Sequence, residues 1–187
     1  AGDAPALDIA SDVGWPQLDV AAAIEREAGP APKLAADVVA ADDIDDDEML
    51  RAVVMYLAEQ VGVRLRRHQR RAKTVSLKYR REDFQTFNRS ITLSEATDST
   101  DLIFESAMGL LAAMRRLHPR PVRLIGVSVD HLTQPNAPEQ LSLFDRSENE
   151  TTRRQVDNVL DKLQQRIGDG AVYRAASHRW IHRDRRG

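Results

Sequence analysis

The 187 residues include 27 Lys and Arg, 29 Asp and Glu, five His and no Cys, with 42% hydrophobic and 5% aromatic residues. That length suits one domain with appendages or two small ones, not a large multidomain enzyme. Without Cys there is no disulfide framework, thiolate-ligated zinc, iron–sulfur cluster or thiol catalysis. No apolar run approaches 18 residues and the opening Ala-Gly-Asp-Ala-Pro has no signal-peptide character, so the expectation is a cytoplasmic protein without a membrane partner.

Charge is segregated along the chain. Residues 1–50 hold 2 basic and 13 acidic side chains, 51–93 hold 11 and 3, 94–150 hold 5 and 9, and 151–187 hold 9 and 4. A basic block flanking hydroxyl-rich strands attracts a phosphate backbone, although charge alone equally describes a solvated basic helix face.

Residues 1–32, rich in Ala, Asp and Pro, read as a linker or remnant. The segment KLAADVVAA, 33–41, reads as a short strand. Asp45, Asp46 and Asp47 then precede Leu50, Val53, Val54, Leu57 and Val61 at helical spacing, which predicts a helix over 47–67 with acids at its start and Arg64, Arg66 and Arg67 at its end. The acidic run Asp42 to Glu48 thus reads as helix capping and solvated linker, not as a metal cluster.

Val75, Leu77 and Tyr79 alternate with Thr74, Ser76, Lys78 and Arg80, the period of a strand with one face on the core. A turn at 81–83 leads to a second strand, 85–93, with Phe87, Ile91 and Leu93 on one face and Thr86, Asn88, Ser90 and Thr92 on the other. Arg89 falls on the apolar parity, so a bulge re-aims it or it lies at the sheet rim. Ser99 or Thr100 caps a helix running to Leu117, which Pro119 and Pro121 stop. A further strand spans 122–131, and a last helix, about 151–167, carries Val156, Val159, Leu160, Leu163 and Ile167. Gly168 and Gly170 end it, residues 171–175 read as a short strand, and the tail from His178 is basic with Trp180 as a stacking residue.

The expected fold is α+β: a four-stranded, mostly antiparallel sheet in the order β-α-β-β-α-β with two helices on one face, plus a C-terminal helix and short strand. The other face is left open, and it is the hydroxyl and basic one.

Three segments carry a family resemblance: RRHQRRAKTVSLKYRREDFQTFNRSITL at 66–93, RPVRLIGVSVDHL at 120–132 and QLSLF at 140–144. Together they resemble the little finger domain of Y-family DNA polymerases of the DNA polymerase IV type. The domain would occupy 33–132, followed by a loop at 133–147, a helix and strand extension at 148–176 and a basic tail at 177–187. The resemblance implies sequence-independent binding of primer-template DNA through its backbones, with Lys73, Thr74, Ser76, Lys78, Arg80, Asn88, Arg89, Ser90, Thr92 and Arg123 as DNA-binding residues. Phosphate-ligand chemistry agrees, since hydroxyls, amides and cations are present without a recognition helix.

Gln140, Leu141, Ser142, Leu143 and Phe144 resemble the pentapeptide that docks into the bacterial sliding clamp. Leu143 and Phe144 would fill an apolar pocket, with Leu141 beside them and Gln140 supplying directional amide bonds. The parent family is a translesion polymerase whose two Mg²⁺ ions sit in a palm domain. No palm carboxylates, phosphate-binding glycine loop or catalytic triad are visible here, so no catalytic residue, metal ligand or cofactor is expected in this chain. His178 and His182, though i, i+4, lack a third ligand. The competing reading is a non-catalytic adaptor resembling the Y-family paralogues of bacterial mutagenesis complexes, where protein contacts dominate.

Overall fold

The computed structural model describes residues 33–133, 148–168 and 172–182, with the backbone alone for 38–42 and 148–151. Residues 1–32 and the peptide Gln140–Phe144 lie outside the described residues.

Six elements form the domain: β1 (Leu34–Ile44), α1 (Asp47–Arg67), β2 (Ala72–Arg81), β3 (Thr86–Thr97), α2 (Thr100–Leu117) and β4 (Val122–Leu132). The sheet has four strands in the order β1-β4-β2-β3, and every pairing is antiparallel.

Local chemistry sets the limits of α1. The Asp46 carboxylate accepts from the backbone N–H groups of Glu48 and Met49, at 2.9 and 3.4 Å, satisfying donors that the first turn leaves unpaired. At the other end Arg70 N–H donates to the Leu65 carbonyl and Gln69 N–H to that of Arg66, with Gln69 at φ 52°. This is a Schellman closure with Gln in the left-handed position that glycine usually takes.

Leu50, Val53, Leu57, Val61 and Leu65 of α1 are buried against one side of the sheet, as are Ile103, Ala107, Leu111 and Met114 of α2. Gly62 lets the two helices approach, because a Cβ there would sit 2.6 Å from the Thr100 hydroxyl. The sheet contributes Leu34, Val129 and Val75 in one row, and Ala36, Val127 and Leu77 in the next. Tyr79, fully buried, reaches the carbonyls of His118 and Arg120 at 3.1 Å and so ties the α2–β4 connection to β2.

The C-terminal extension differs from expectation in three respects. First, α3 (Glu148–Ile167) turns polar side chains toward the domain, while Val156, Val159, Leu163 and Ile167 remain exposed. Second, Val172 to Arg174 form no strand and Ala175–Ser177 form a 3-10 turn, because Ser177 N–H and its hydroxyl both bond back to the Arg174 carbonyl. Third, the start of the basic tail is a short helix, α4 (His178–Ile181), whose Trp180 is 2% exposed and joins the core. Trp180 is therefore a packing residue, not a stacking one: the indole removes more apolar surface from water than any other side chain of this segment can.

Candidate nucleic-acid interface

The helices cover one side of the sheet and leave a face whose rows follow from strand register. Thr92, Thr74 and Asp130 form one row; Ser90, Ser76, Ser128 and Ala35 the next; Asn88, Lys78, Gly126 and Asp37 a third; Thr86, Arg80 and Leu124 a fourth. Strand alternation alone places these side chains on one surface, and seven of the ten DNA-binding candidates are drawn from β2 and β3 within it or beside it.

Thr74 is 6% exposed, and its hydroxyl lies 3.3 Å from that of Thr92 and 2.9 Å from Nδ1 of His131. Ser76, Lys78 and Arg80 are half-buried, whereas Asn88, Ser90 and Thr92 on the edge strand are exposed. Arg80 donates through Nε to the Thr86 hydroxyl at 2.8 Å, which aims its guanidinium along the face.

The remaining three candidates sit elsewhere. Arg89 pairs across from Leu77 and therefore lies on the helix-covered parity, exposed because β3 is the sheet edge. Lys73 is exposed where Leu93 to Ala96 form an irregularity in β3, one residue out of step with the face. Arg123 occupies a β-bulge, since Arg80 pairs with Leu124 and Arg81 with Val122. It lies 3.8 Å from Asp43 and 4.6 Å from the centroid of the Phe84 ring, at the end of the face.

The face also holds two carboxylates. Lys78 Nζ is 3.2 Å from Asp37, and Lys33 Nζ is 3.4 Å from Asp130. Gly126 makes the first pair possible, because any Cβ at that position would lie 1.7 Å from Asp37 Oδ1. The β1 side is thus internally neutralised, while the β2–β3 side presents hydroxyls, an amide and cations.

Outside the ten candidates the face also carries Thr86, which alternation already placed on it, and Ser128 and His131, which sequence reasoning missed. Ser128 shares the parity of the chosen residues and could have been found by alternation. His131 could not, because its φ of 53° re-aims the side chain after the sequence pattern has ended. At the β2–β3 turn, Arg81 pairs with Asp83; that bond holds the Asp83 carboxyl below its ordinary value and the Arg81 guanidinium above it.

Residues 34–143, more than half of the chain, match the family model of the impB/mucB/samB family C-terminal domain. The chain belongs to that family. The impB/mucB/samB C-terminal domain here is 32% identical over 143 residues to DNA polymerase IV of Alkaliphilus oremlandii, covering 72% of this chain and 35% of that protein. It is 32% identical over 134 residues to DNA polymerase IV 2 of Bacillus subtilis, covering 70% and 31%. The chain therefore spans about a third of the length of the curated relatives it matches. Among solved structures it is similar to the little finger domain of PolIV in a complex with the beta-clamp processivity factor, with 21% identity, a TM-score of 0.45 and coverage of 60% of this chain and 99% of that one. As a member of this family it is a Y-family little finger domain, and the resemblance carried by residues 66–93 and 120–132 holds.

Proposed function

We propose that this domain binds the backbones of primer-template DNA independently of sequence and recruits a bacterial sliding clamp, as the C-terminal part of an error-prone translesion DNA polymerase in DNA repair. The observation that carries the reading is the open face of the sheet. Rows of Thr, Ser and Asn with Lys78 and Arg80 offer phosphate ligands across that surface. DNA polymerase IV relatives supply the context, and the clamp assignment for Gln140, Leu141, Ser142, Leu143 and Phe144 rests on the resemblance of that peptide to the clamp-docking pentapeptide. Nucleotidyl transfer belongs to the parent polymerase. Its Mg²⁺ chemistry requires paired carboxylates, and the acids of the described face instead pair with lysines.

Anisotropy titration of labelled duplex tests DNA binding. With ~4–6 phosphates engaged, log K against log salt falls with a slope of about −4 to −5, and changing Lys73, Lys78 and Arg80 to Ala weakens all sequences alike. A flat salt dependence or binding confined to one sequence overturns this. The clamp arm pairs wild type with a Leu143→Ala, Phe144→Ala variant: binding at a Kd on the order of micromolar disappears in the variant while its melting temperature stays unmoved.

A further inference from the structure

The β2–β3 loop contains a residue its backbone does not favour. Arg81 N–H donates to the Gln85 carbonyl and Phe84 N–H to that of Arg81, both at 3.0 Å, enclosing a three-residue loop, Glu82, Asp83 and Phe84. Loops of this kind place their third residue in the left-handed region, where Gly or Asn is preferred; here it is Phe84, at φ 63°. The surroundings hold it there. Asp83 is bonded by Arg81 and accepts from Gln85 N–H at 3.2 Å, and Glu82 N–H donates to the Pro121 carbonyl at 3.2 Å.

Phe84 is also 63% exposed. An aromatic ring in a strained backbone position is ordinarily compensated by burial, and this one is not. What it does have is a guanidinium on its ring: the Arg123 Cζ lies 4.6 Å from the centroid, and Arg123 is itself placed by the bulge in β4 and by Asp43. The ring stands two residues beyond Thr86, where the Thr86–Arg80 row ends the open face. Three acids described at this end are paired with arginines: Asp83 with Arg81, Glu82 with Arg120, and Asp43 with Arg123. None of these three repels an approaching phosphate unopposed.

We infer that Phe84, with Arg123 seated on its ring, is a stacking platform for an unpaired nucleobase at the end of a duplex lying on the open face. The inference rests on the DNA-binding reading above and adds to it a contact with a base. A planar ring with a large exposed area offers every base the same π surface, so stacking is indifferent to sequence, as a domain that moves along DNA requires. Phosphate ligands on the rows then set position, and Phe84 distinguishes a duplex end with an unpaired base from continuous duplex.

The test uses the full chain with two probes: a blunt 20-base-pair duplex, and the same duplex carrying one unpaired 2-aminopurine at its 5′ end. Wild type is expected to bind the second probe at least about fivefold more tightly and to quench its fluorescence. Phe84→Gly, which suits a left-handed φ, is expected to melt no lower than wild type, bind blunt duplex equally and lose both the preference and the quenching; Phe84→Trp retains both. Equal wild-type affinity for the two probes, or a Phe84→Gly protein that keeps the preference, overturns the inference and leaves backbone binding standing. A lower melting temperature for Phe84→Gly overturns it in favour of a packing role. Loss of clamp binding in that variant with DNA binding intact overturns it in favour of a protein contact. Failure of wild type to bind either probe removes the DNA-binding reading as well.

Discussion

Helices α1 and α2 are held to this molecule by aliphatic burial, whereas α3 is held by carboxylates. Beneath α1 and α2, Leu50, Val53, Leu57, Ile103 and Met114 meet Val75, Leu77, Val127 and Val129 with almost no polar atom between them. Beneath α3, the fully buried Asp157 accepts from Thr100 N–H at 3.0 Å and from Arg174 at 2.8 Å, and lies 3.4 Å from Arg66. Asp161 then takes Arg66 in a two-pronged bond at 2.6 and 2.9 Å. Burial tolerates sliding, whereas a forked guanidinium–carboxylate bond allows only one register. The contrast explains how α3 can leave its apolar stripe exposed: direction comes from charge, so the stripe is not needed for docking.

The sharpest way to break the first kind of attachment is Leu77→Ala in the centre of the sheet. A cavity there costs about 3–4 kcal/mol, and that loss, read from denaturant melts, is the same at low and high salt. Asp157→Ala attacks the second kind. It removes one carboxylate from Arg66 and Arg174 in a largely buried site, and the expected loss is about 2–3 kcal/mol, below the usual range for breaking a buried pair because Asp161 still engages Arg66 and Asp101 still pairs with Arg174. Limited proteolysis separates the two variants: Asp157→Ala exposes residues 148–168 to cleavage while the sheet persists, and Leu77→Ala loosens the whole domain at once.

A smaller effect sharpens the comparison at Glu59, the acid that the core face of α1 carries toward the C-terminal extension. Burial pushes its carboxyl above the ordinary 4.5, against the opposing pull of the Arg174 N–H, which donates to it at 2.7 Å, and of Ser177. A raised value in the fold means the native state binds this proton more tightly than the unfolded chain does. Its contribution to stability is therefore present below pH 4.5 and is lost as pH rises through the folded value. Glu59→Gln keeps the accepting oxygen without the charge, so it raises the melting temperature at pH 7, and the gain vanishes when both proteins are melted below pH 4.5. A gain that persists in acid would mean packing, not charge, is responsible.

The domain proper could be read from residue spacing because its elements are amphipathic in the ordinary sense. Val75, Leu77 and Tyr79 face the core as their alternation requires, and α1 begins and ends where its acids and arginines fall. The C-terminal extension resisted the same reasoning. The stripe Val156, Val159, Leu163 and Ile167 announces a helix but points away from what the helix touches, and the partners of Asp157 lie 57 and 91 residues earlier and 17 later in the chain, at Thr100, Arg66 and Arg174. Trp180 sits in a run of His and Arg that composition marks as solvent-facing, and only tertiary packing claims it for the core. On the open face, alternation located the Thr and Ser positions of β2 and β3; Arg123, whose bulge breaks the count, was reached only through the family resemblance, and the lysine pairs with Asp37 and Asp130 were not reached at all.

Those lysine pairs make the open face a surface of exchange. On the proposed reading, a phosphate arriving at Lys78 has to displace Asp37, which is seated above Gly126, and so the contact would be worth the difference between two ion pairs, not the whole of one. A site with its own resident competitor grips lightly and releases readily. In that case the carboxylate would return to the ammonium each time the strand moved on, leaving no bare charge behind to hold the duplex at a single step.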